Sequence, residues 1–206
     1  MKKEENLSRR AFLKGSAVGA AALAGTSLLV GCKPAASTGA ALKWDKETDI
    51  VIVGFGGAGA TAAIKAREAG SEVVILEKRE VAGGSSAICG GVFYASNTSV
   101  QKANGITDTA DKMYQHYINC GKGFNNPALV RLAADKSAEN VELMINLGAT
   151  FPAAPSVSGA EYNVGSEPIA RVHSVVFGDL TGGAAYFAVL EKGAKDAGAE
   201  VMTETP

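Results

Sequence analysis

The stretch that decides the fold reads DIVIVGFGGAG at residues 49–59 and continues to VVILE at residues 73–77. Its first residues form a short, β-branched, apolar run, which is typical of a strand buried on both faces of a parallel sheet. The alanine-rich residues 60–69 favour a helix that stops at Gly70, and a second apolar run follows. Strand, glycine turn, helix, strand and acid, in this order, predict a Rossmann-like α/β domain with a parallel central sheet.

Each position of the glycine turn has a physical task in such a domain. Gly54 permits the tight turn, Gly56 lets the backbone approach a pyrophosphate, and Gly59 lets the helix pack closely on the strand. The N-terminus of the helix, at Gly57 and Ala58, offers free N–H groups and a partial positive charge to the phosphates. These residues are therefore predicted to bind a dinucleotide.

The acid that ends the second strand is Glu77, roughly 20 residues past the glycine turn. A carboxylate at this position accepts hydrogen bonds from the hydroxyls of the adenosine ribose. The same pattern serves NAD and FAD, so an NAD-binding Rossmann enzyme is an alternative at this point.

The segment that follows distinguishes the two cofactors. It reads EKREVAGGSSAICGG at residues 77–91, an acid followed by lysine and two glycine pairs. This segment resembles the flavoprotein family of fumarate reductases, soluble flavocytochrome c, urocanate reductases and 3-ketosteroid dehydrogenases. The resemblance implies FAD as the cofactor, with a glycine-rich backbone along its diphosphate, ribityl chain and flat flavin ring. The residues that it assigns to the cofactor are Lys78, Gly83, Gly84, Ser85, Ser86, Gly90 and Gly91.

The same resemblance extends over the rest of the chain. Arg171, His173 and the TGG of residues 181–183 are similar to a segment that the family places near the flavin. His173 is expected either to touch the cofactor or, preferably, to organise its loop. Helices are predicted over residues 110–119, 127–148 and 183–197, a strand over 199–203, and a loop over 149–180. The helix over 127–148 has apolar residues at helical spacing that are predicted to face a core, namely Leu129, Leu132, Ala133, Val141, Met144 and Ile145.

Histidine and cysteine offer few candidates for chemistry. His116 is interpreted as an ordinary helix-surface or packing residue, and the cysteines have no zinc-like spacing, so no metal site is predicted. Cys89 is expected close to the flavin, as a small buried side chain or as a redox group. A Cys89–Cys120 disulfide is a further, less favoured alternative.

The N-terminal residues predict an export signal. SRRAFLK at residues 8–14 precedes an apolar stretch that is too short and too rich in glycine and alanine to span a bilayer. The arginine pair resembles a twin-arginine signal, whose pathway exports folded proteins, often with a cofactor inside. LVGC at residues 29–32 resembles a lipobox, which implies lipidation of Cys32, and cleavage near Ala36 is the alternative. The predicted parts are a signal peptide (1–31), a linker (32–47) and the N-terminal part of an FAD-binding domain (48–206).

Composition and resemblance together predict a class of function. The formal net charge is −1, and residues 32–206 contain 15 basic against 19 acidic side chains, so no basic patch for nucleic acid is expected. The resemblance implies an FAD-dependent oxidoreductase, at the outer face of the cytoplasmic membrane or in the periplasm, that reduces an activated C=C bond of a small-molecule acid or enone. Hydride would pass from flavin N5, and electrons would come from a cytochrome or quinol-linked donor. Ketosteroid-like desaturation, an NAD-binding enzyme and an inert exported protein are the alternatives.

Family members also carry further strands and a capping domain for the substrate. We therefore expect the catalytic residues to lie downstream of Pro206, and the FAD-binding domain over residues 48–206 to be incomplete at its C-terminus. The 206 residues alone are expected neither to turn over substrate nor to hold FAD tightly.

Overall fold

The computed structural model describes residues 44–158 and 165–206. The predicted signal peptide, the lipidation site at Cys32 and most of the predicted linker lie outside the described residues. The strands of the described residues are β1 (Ile50–Val53), β2 (Val73–Leu76), β3 (Val92–Tyr94), β4 (Val172–Ser174), β5 (Val176–Phe177), β6 (Leu180–Thr181) and β7 (Glu200–Met202). The helices are α1 (Gly57–Glu68), α2 (Gly84–Ala87), α3 (Ser99–Ala103), α4 (Ala110–Gly121), α5 (Pro127–Asn146) and α6 (Gly182–Asp196).

A three-stranded parallel sheet forms the centre of the fold, in the order β1-β2-β7. Ile50 pairs with Val73 and Val53 with Leu76, and on the other side of β2 Val74 pairs with Glu200. Parallel neighbours require crossover connections, and α1 supplies the one between β1 and β2. The sequence prediction of an α/β fold with a parallel central sheet is therefore confirmed.

The apolar core lies on one face of this sheet. Ile64 of α1 and Leu190 of α6 pack there with Val73 and Ile75 of β2, and all four side chains are buried. Phe55, which follows β1, joins the same cluster. None of the helices in the described parts of the chain is long and apolar enough to cross a membrane.

The prediction that the first strand is buried on both faces is wrong. Val51 is 56% exposed and Val53 is 86% exposed, whereas Val73, Val74 and Ile75 of β2 are at most 4% exposed. Successive side chains of a strand point to opposite faces, and Ile52 packs against the core cluster, so the two valines point away from it. β1 is also an edge of the sheet within the described residues, while β2 has a neighbour on each side.

Two other predictions also need correction. The predicted loop over residues 149–180 contains the short strands β4 and β5 and the start of β6, because strands of two or three residues show no alternation that a sequence pattern can reveal. In α5, Val141 and Met144 are buried as predicted, but Leu129 and Leu132 are more than half exposed. These two leucines border grooves beside α4 and do not reach the central cluster.

Helix boundaries otherwise follow their sequence signals. Asn126 caps α5, and its Oδ1 accepts hydrogen bonds from the N–H groups of Ala128 and Leu129 at 2.9 and 3.3 Å. Cys89 and Cys120 are free thiols, so the alternative of a disulfide between them is excluded in this structure.

A buried ion pair holds the chain that leads into β4. The Arg171 guanidinium donates to both carboxylate oxygens of Asp108, at 2.6 and 2.9 Å, and the two side chains are 1% and 0% exposed. Gln101 Nε2 donates to Asp108 Oδ2 and to the Ala170 carbonyl, at 3.3 and 2.8 Å. Since each buried polar group here has a partner, the network satisfies the main condition for burying charge.

His173 belongs to the same network and lies 1% exposed. Its Nδ1 lies 2.7 Å from the Arg171 carbonyl oxygen, which can only accept, so Nδ1 carries the proton. Its Nε2 then accepts from the Thr98 hydroxyl at 2.8 Å. Burial lowers the pKa of His173, and the hydrogen bond to the Arg171 carbonyl opposes part of that effect. These contacts support the preferred interpretation that His173 organises its loop.

His116 is also a packed, buried side chain, as expected. It stacks on Tyr94, and its ring nitrogens lie 2.9 Å from Ser166 Oγ and 3.4 Å from Cys120 Sγ. Burial lowers the pKa of His116, and the positive charge of Arg171 adds to the effect.

The lowered pKa values of His116 and His173 predict that mild acid destabilises the fold. A histidine whose pKa is lowered in the folded state binds its proton more readily when unfolded, so stability is lost as pH falls below about 6.5. We expect the urea midpoint to fall between pH 7 and pH 5, and to fall less in His173→Gln, which removes one titrating group. One proton contributes at most about 1.4 kcal/mol per pH unit within this window.

The carboxyl of Glu77, whose pKa is also lowered, titrates below 4.5 and does not enter this window. His116→Gln provides the parallel measurement for the other histidine. An unchanged pH dependence in His173→Gln would contradict the assignment of a neutral, buried imidazole.

Candidate cofactor site

The structure brings the two glycine-rich segments of the sequence together. Gly56 of the first segment forms a parallel bridge with Gly83 of the second, and Gly83 N–H donates to the Phe55 carbonyl at 2.8 Å. Gly83 has φ +106°, in the region that favours glycine, and a Cβ there would lie 2.7 Å from that of Ala87. The residues predicted from two separate motifs therefore form one surface.

The N-terminus of α1 lies at this surface. Its N-cap residue is Gly56, which has no side chain to cap the helix. The first turn contains no acidic residue that would compensate the positive end of the helix dipole. Gly57 N–H donates to Ser86 Oγ at 3.0 Å, and Ala58 is exposed. A helix end whose N-cap residue is glycine leaves N–H groups of its first turn available to an anion such as a phosphate.

The glycines of the first turn differ in how much space a Cβ atom would have at each position. A Cβ on Gly59 would lie 2.0 Å from the Gly54 carbonyl oxygen, which is the close helix–strand approach expected of this position. A Cβ on Gly56 would meet nothing nearer than Gly83 O and Ser86 Oγ, at 3.6 and 3.7 Å. The space beside Gly56 is therefore a cradle that a methyl group would occupy without disturbing the protein.

Glu77 lies at the end of β2 and is held in place by two backbone donors. Its Oε2 accepts from Phe55 N–H at 2.8 Å, and its Oε1 accepts from Arg79 N–H at 3.0 Å. These hydrogen bonds, from Arg79 first and then Phe55, lower the pKa of Glu77. The charges of Lys78 and Arg79 act in the same direction, and burial opposes them. Glu77 is thus an ionised acceptor whose two oxygens each retain a free lone pair.

The second glycine pair meets the TGG segment of residues 181–183. Gly183 N–H donates to the Cys89 carbonyl at 2.9 Å. A Cβ on Gly91, which has φ +61°, would lie 2.0 Å from the Gly182 carbonyl carbon. Only glycine fits at this contact, and it joins the start of α6 to the second glycine segment.

The remaining residues predicted for the site surround this surface. Ser86 belongs to α2 and is partly buried, whereas Lys78, Gly84, Ser85 and Gly90 are exposed. The exposed residues have no contact that fixes a role for them.

Cys89 does not have the buried position that one interpretation gave it. The side chain is exposed, with its thiol donating to the Ser86 carbonyl at 3.1 Å and accepting from Gly91 N–H at 3.4 Å. The reason is that α2 ends at Ala87 and the following residues turn outward, so that Ile88 is also exposed, at 85%.

Tyr186 is a residue of the site that the sequence did not indicate. Its ring packs against the apolar core and meets Phe93 edge-on, as expected of an aromatic side chain in α6. Its hydroxyl, however, lies 2.7 Å from the point that a Cβ on Gly57 would occupy. No sequence signal links a tyrosine in the last helix to the first glycine turn, because only the contact between α6 and α1 places it there.

Comparison with known proteins agrees with this geometry. A family model described as FAD binding domain matches residues 49–206, and a model of the twin-arginine translocation signal matches residues 6–26. Among curated relatives, the acrylate reductase flavoprotein subunit of Shewanella woodyi is 36% identical over 152 residues, which are 73% of this chain and 29% of the relative. Digoxin reductase of Eggerthella lenta is 37% identical over 171 residues, with 73% and 30% covered.

Solved structures show that the fold is shared. The 3-ketosteroid-Δ4-(5α)-dehydrogenase of Rhodococcus jostii RHA1 superposes with a TM-score of 0.67 at 23% identity, covering 80% of this chain and 39% of that chain. The open conformation of a flavocytochrome c3 fumarate reductase has a TM-score of 0.67 at 24% identity, covering 99% and 31%. The chain thus spans about a third of the length of the relatives that it matches.

The family match covers both glycine segments, Glu77 and every strand of the central sheet. The chain therefore belongs to the FAD-binding domain family, and its cofactor is FAD.

Proposed function

We propose that this chain binds FAD across its two glycine segments and forms the cofactor-binding part of an exported oxidoreductase that reduces an activated C=C bond. The observation that carries the binding proposal is the junction of the two segments at Gly56 and Gly83, around the N-terminus of α1. The twin-arginine signal supports export through the twin-arginine machinery.

The diphosphate is assigned to the helix end. The cradle beside Gly56 leaves room for a phosphate oxygen, and the N–H groups of the first turn and the Ser86 hydroxyl are the donors nearest to it. Because Ser86 Oγ accepts from Gly57 N–H, its own proton remains available for donation to an anion. The site supplies donors and a positive helix end, which are what a diphosphate needs.

The adenosine ribose is assigned to Glu77. Its carboxylate is ionised, fixed by two backbone N–H groups, and placed at the end of the strand beside the first glycine turn. Two ribose hydroxyls match the acceptors that this carboxylate retains. The exposed Lys78 next to it adds positive charge beside the carboxylate.

The flavin is assigned to the second glycine segment, near Gly90 and Gly91. The contact of Gly91 with Gly182 gives a main-chain surface without side chains, which suits a flat ring. When bound, the flavin supplies hydride transfer at N5. Among the described residues we assign no proton donor for a substrate.

The substrate class follows from what the relatives are named for. Acrylate, fumarate and urocanate, which appear in the names of relatives, share a C=C bond conjugated to a carboxylate. An unsaturated carboxylate or an enone is therefore the proposed substrate. Desaturation of a ketosteroid is the second candidate, and a 3-oxo-5-alpha-steroid 4-dehydrogenase of Comamonas testosteroni, 33% identical over 187 residues, favours it.

The electron source and the membrane attachment are further parts of the proposal. Outside the cytoplasm, free NAD(P)H is scarce, so electrons are proposed to come from a cytochrome or quinol-linked donor. A relative named fumarate reductase (cytochrome) supports the first of these. Lipidation of Cys32 rests on the LVGC sequence at residues 29–32.

Gly56→Ala tests the position of the diphosphate. A methyl group fits in the protein at this position, so the urea midpoint should change little, yet it occupies the cradle. We expect FAD affinity, measured by flavin fluorescence on titration into the apoprotein, to fall at least tenfold. Unchanged affinity would place the diphosphate elsewhere.

Glu77→Gln tests the position of the ribose, because FMN lacks the adenosine half of FAD. Hydrogen bonds to a charged group contribute about 1.5–3 kcal/mol, so FAD affinity should fall roughly tenfold or more. Affinity for FMN should stay as in the unmodified protein. An equal loss for FMN and FAD would mean that the substitution acts through the fold.

Turnover of the full-length gene product tests the reaction. Reduced methyl viologen supplies electrons, and acrylate, fumarate, urocanate and a 3-keto-Δ4-steroid are offered in turn. We expect oxidation of the dye with at least one acceptor and none without an acceptor. A purified protein that is colourless after reconstitution with FAD, or that oxidises the dye with none of the four acceptors, would falsify the reductase proposal. Steroid-dependent reduction of an artificial electron acceptor would favour desaturation.

A further inference from the structure

We propose that the hydroxyl of Tyr186 is a further ligand of the FAD diphosphate, donating a hydrogen bond at the N-terminus of α1. The inference rests on the proposed function, because it takes the diphosphate to lie at that helix end. It gives a role in binding the diphosphate to a residue of α6, a helix that lies more than a hundred residues after the first glycine turn.

The position of the hydroxyl is the first argument. The Tyr186 hydroxyl and Ser86 Oγ lie 2.7 and 3.0 Å from the point that a Cβ on Gly57 would occupy. Gly57 N–H itself lies 3.0 Å from Ser86 Oγ. Two hydroxyls therefore lie beside Gly57, the first residue of α1, whose own N–H donates to one of them. This is the end of the helix that attracts an anion.

The second argument is that this hydroxyl has no partner among the described residues. The side-chain polar atoms in those residues that are sealed from solvent without a partner are Thr48 Oγ1, Tyr94 Oη and Arg131 Nε. The Tyr186 hydroxyl makes no hydrogen bond to a described residue and is not one of these atoms, so it is not sealed from solvent. A hydroxyl that is exposed beside a phosphate site, and that donates to no protein acceptor, is available to the ligand.

The third argument is that the ring is held in place while the hydroxyl is open. Tyr186 is half-buried, and its ring packs edge-on against Phe93 with 5.6 Å between the ring centroids. Burial raises the pKa of the Tyr186 phenol, and the neighbouring Cys89 thiol acts in the same direction. The phenol therefore keeps its proton at neutral pH and acts as a donor. A fixed donor loses little rotational freedom when it binds an anion.

The same contact gives Gly57 a task that the sequence motif does not state. With any larger residue at position 57, the Cβ would lie within 3.1 Å of both the hydroxyl and a ring carbon of Tyr186. Gly57 thus allows the tyrosine to approach the helix end closely.

Tyr186→Phe tests the inference, because it removes the hydroxyl and keeps the ring against Phe93. The ligands are FAD, ADP and adenosine, titrated into the apoprotein of the full-length gene product. We expect affinity for FAD and for ADP to fall by a similar factor, about three- to tenfold. Adenosine, which has no phosphate, should bind as it does to the unmodified protein. The urea midpoint should stay close to that of the unmodified protein, because the packing is unchanged.

Tyr114→Phe is the matched control, since Tyr114 is a partly buried tyrosine of α4 that contacts Arg131. It should change none of the three affinities. Unchanged ADP affinity in Tyr186→Phe, with a clear loss in Gly56→Ala, would overturn the role of Tyr186 and leave the diphosphate site intact. If Gly56→Ala also binds ADP normally, the proposed diphosphate site is itself wrong. Equal losses for adenosine and ADP would assign Tyr186 to the fold and overturn the inference.

Discussion

The backbone of Phe55 is the constraint on which the rest of the site depends. Its N–H donates to the Glu77 carboxylate, and its carbonyl accepts from Gly83 N–H, so one peptide residue joins the first glycine turn to both other parts of the site. Its side chain is fully buried and meets Phe187 edge-on at 5.6 Å between ring centroids. The position of the Glu77 carboxylate, the proposed ribose acceptor, and that of the second glycine segment are thus set by the same residue, which is packed in the core.

The sequence predicts this half of the site well because its determinants are local. The strand, the turn at Gly54, the helix and the acid at Glu77 follow one another along the chain, and each has its own propensity or steric requirement. The sequence does not predict which side chains pack where, because packing depends on distant neighbours. Val53 has the pattern of a buried strand residue, yet it is 86% exposed at the edge of the described sheet. Leu129 has helical spacing, yet it borders a groove outside the core cluster.

The part of the site that sequence reasoning missed lies where two distant elements meet. Tyr186 fits the apolar pattern of α6, and its ring packs as that pattern indicates. The pattern carries no information about the position of the hydroxyl. Tyrosine combines an apolar body with a polar end, and only the three-dimensional contact with Gly57 shows where that end lies. The same holds for Gly91 and Gly182, whose close approach becomes visible only once the start of α6 is placed against the second glycine segment.

The two ends of the site are supported by different physics. The phosphate end is built from backbone hydrogen bonds around Phe55, whereas the other end depends on a buried side-chain network. Asp108 binds Arg171, and from there β4 leads to Val175, whose N–H donates to the Gly91 carbonyl. The network thereby fixes the chain that lies against the second glycine pair, although it does not touch the glycine turns. Loss of the ion pair would leave an unpaired buried charge, a far larger cost than that of any single surface contact. The geometry of the end proposed for the flavin therefore depends on residues that the nucleotide-binding motif does not contain.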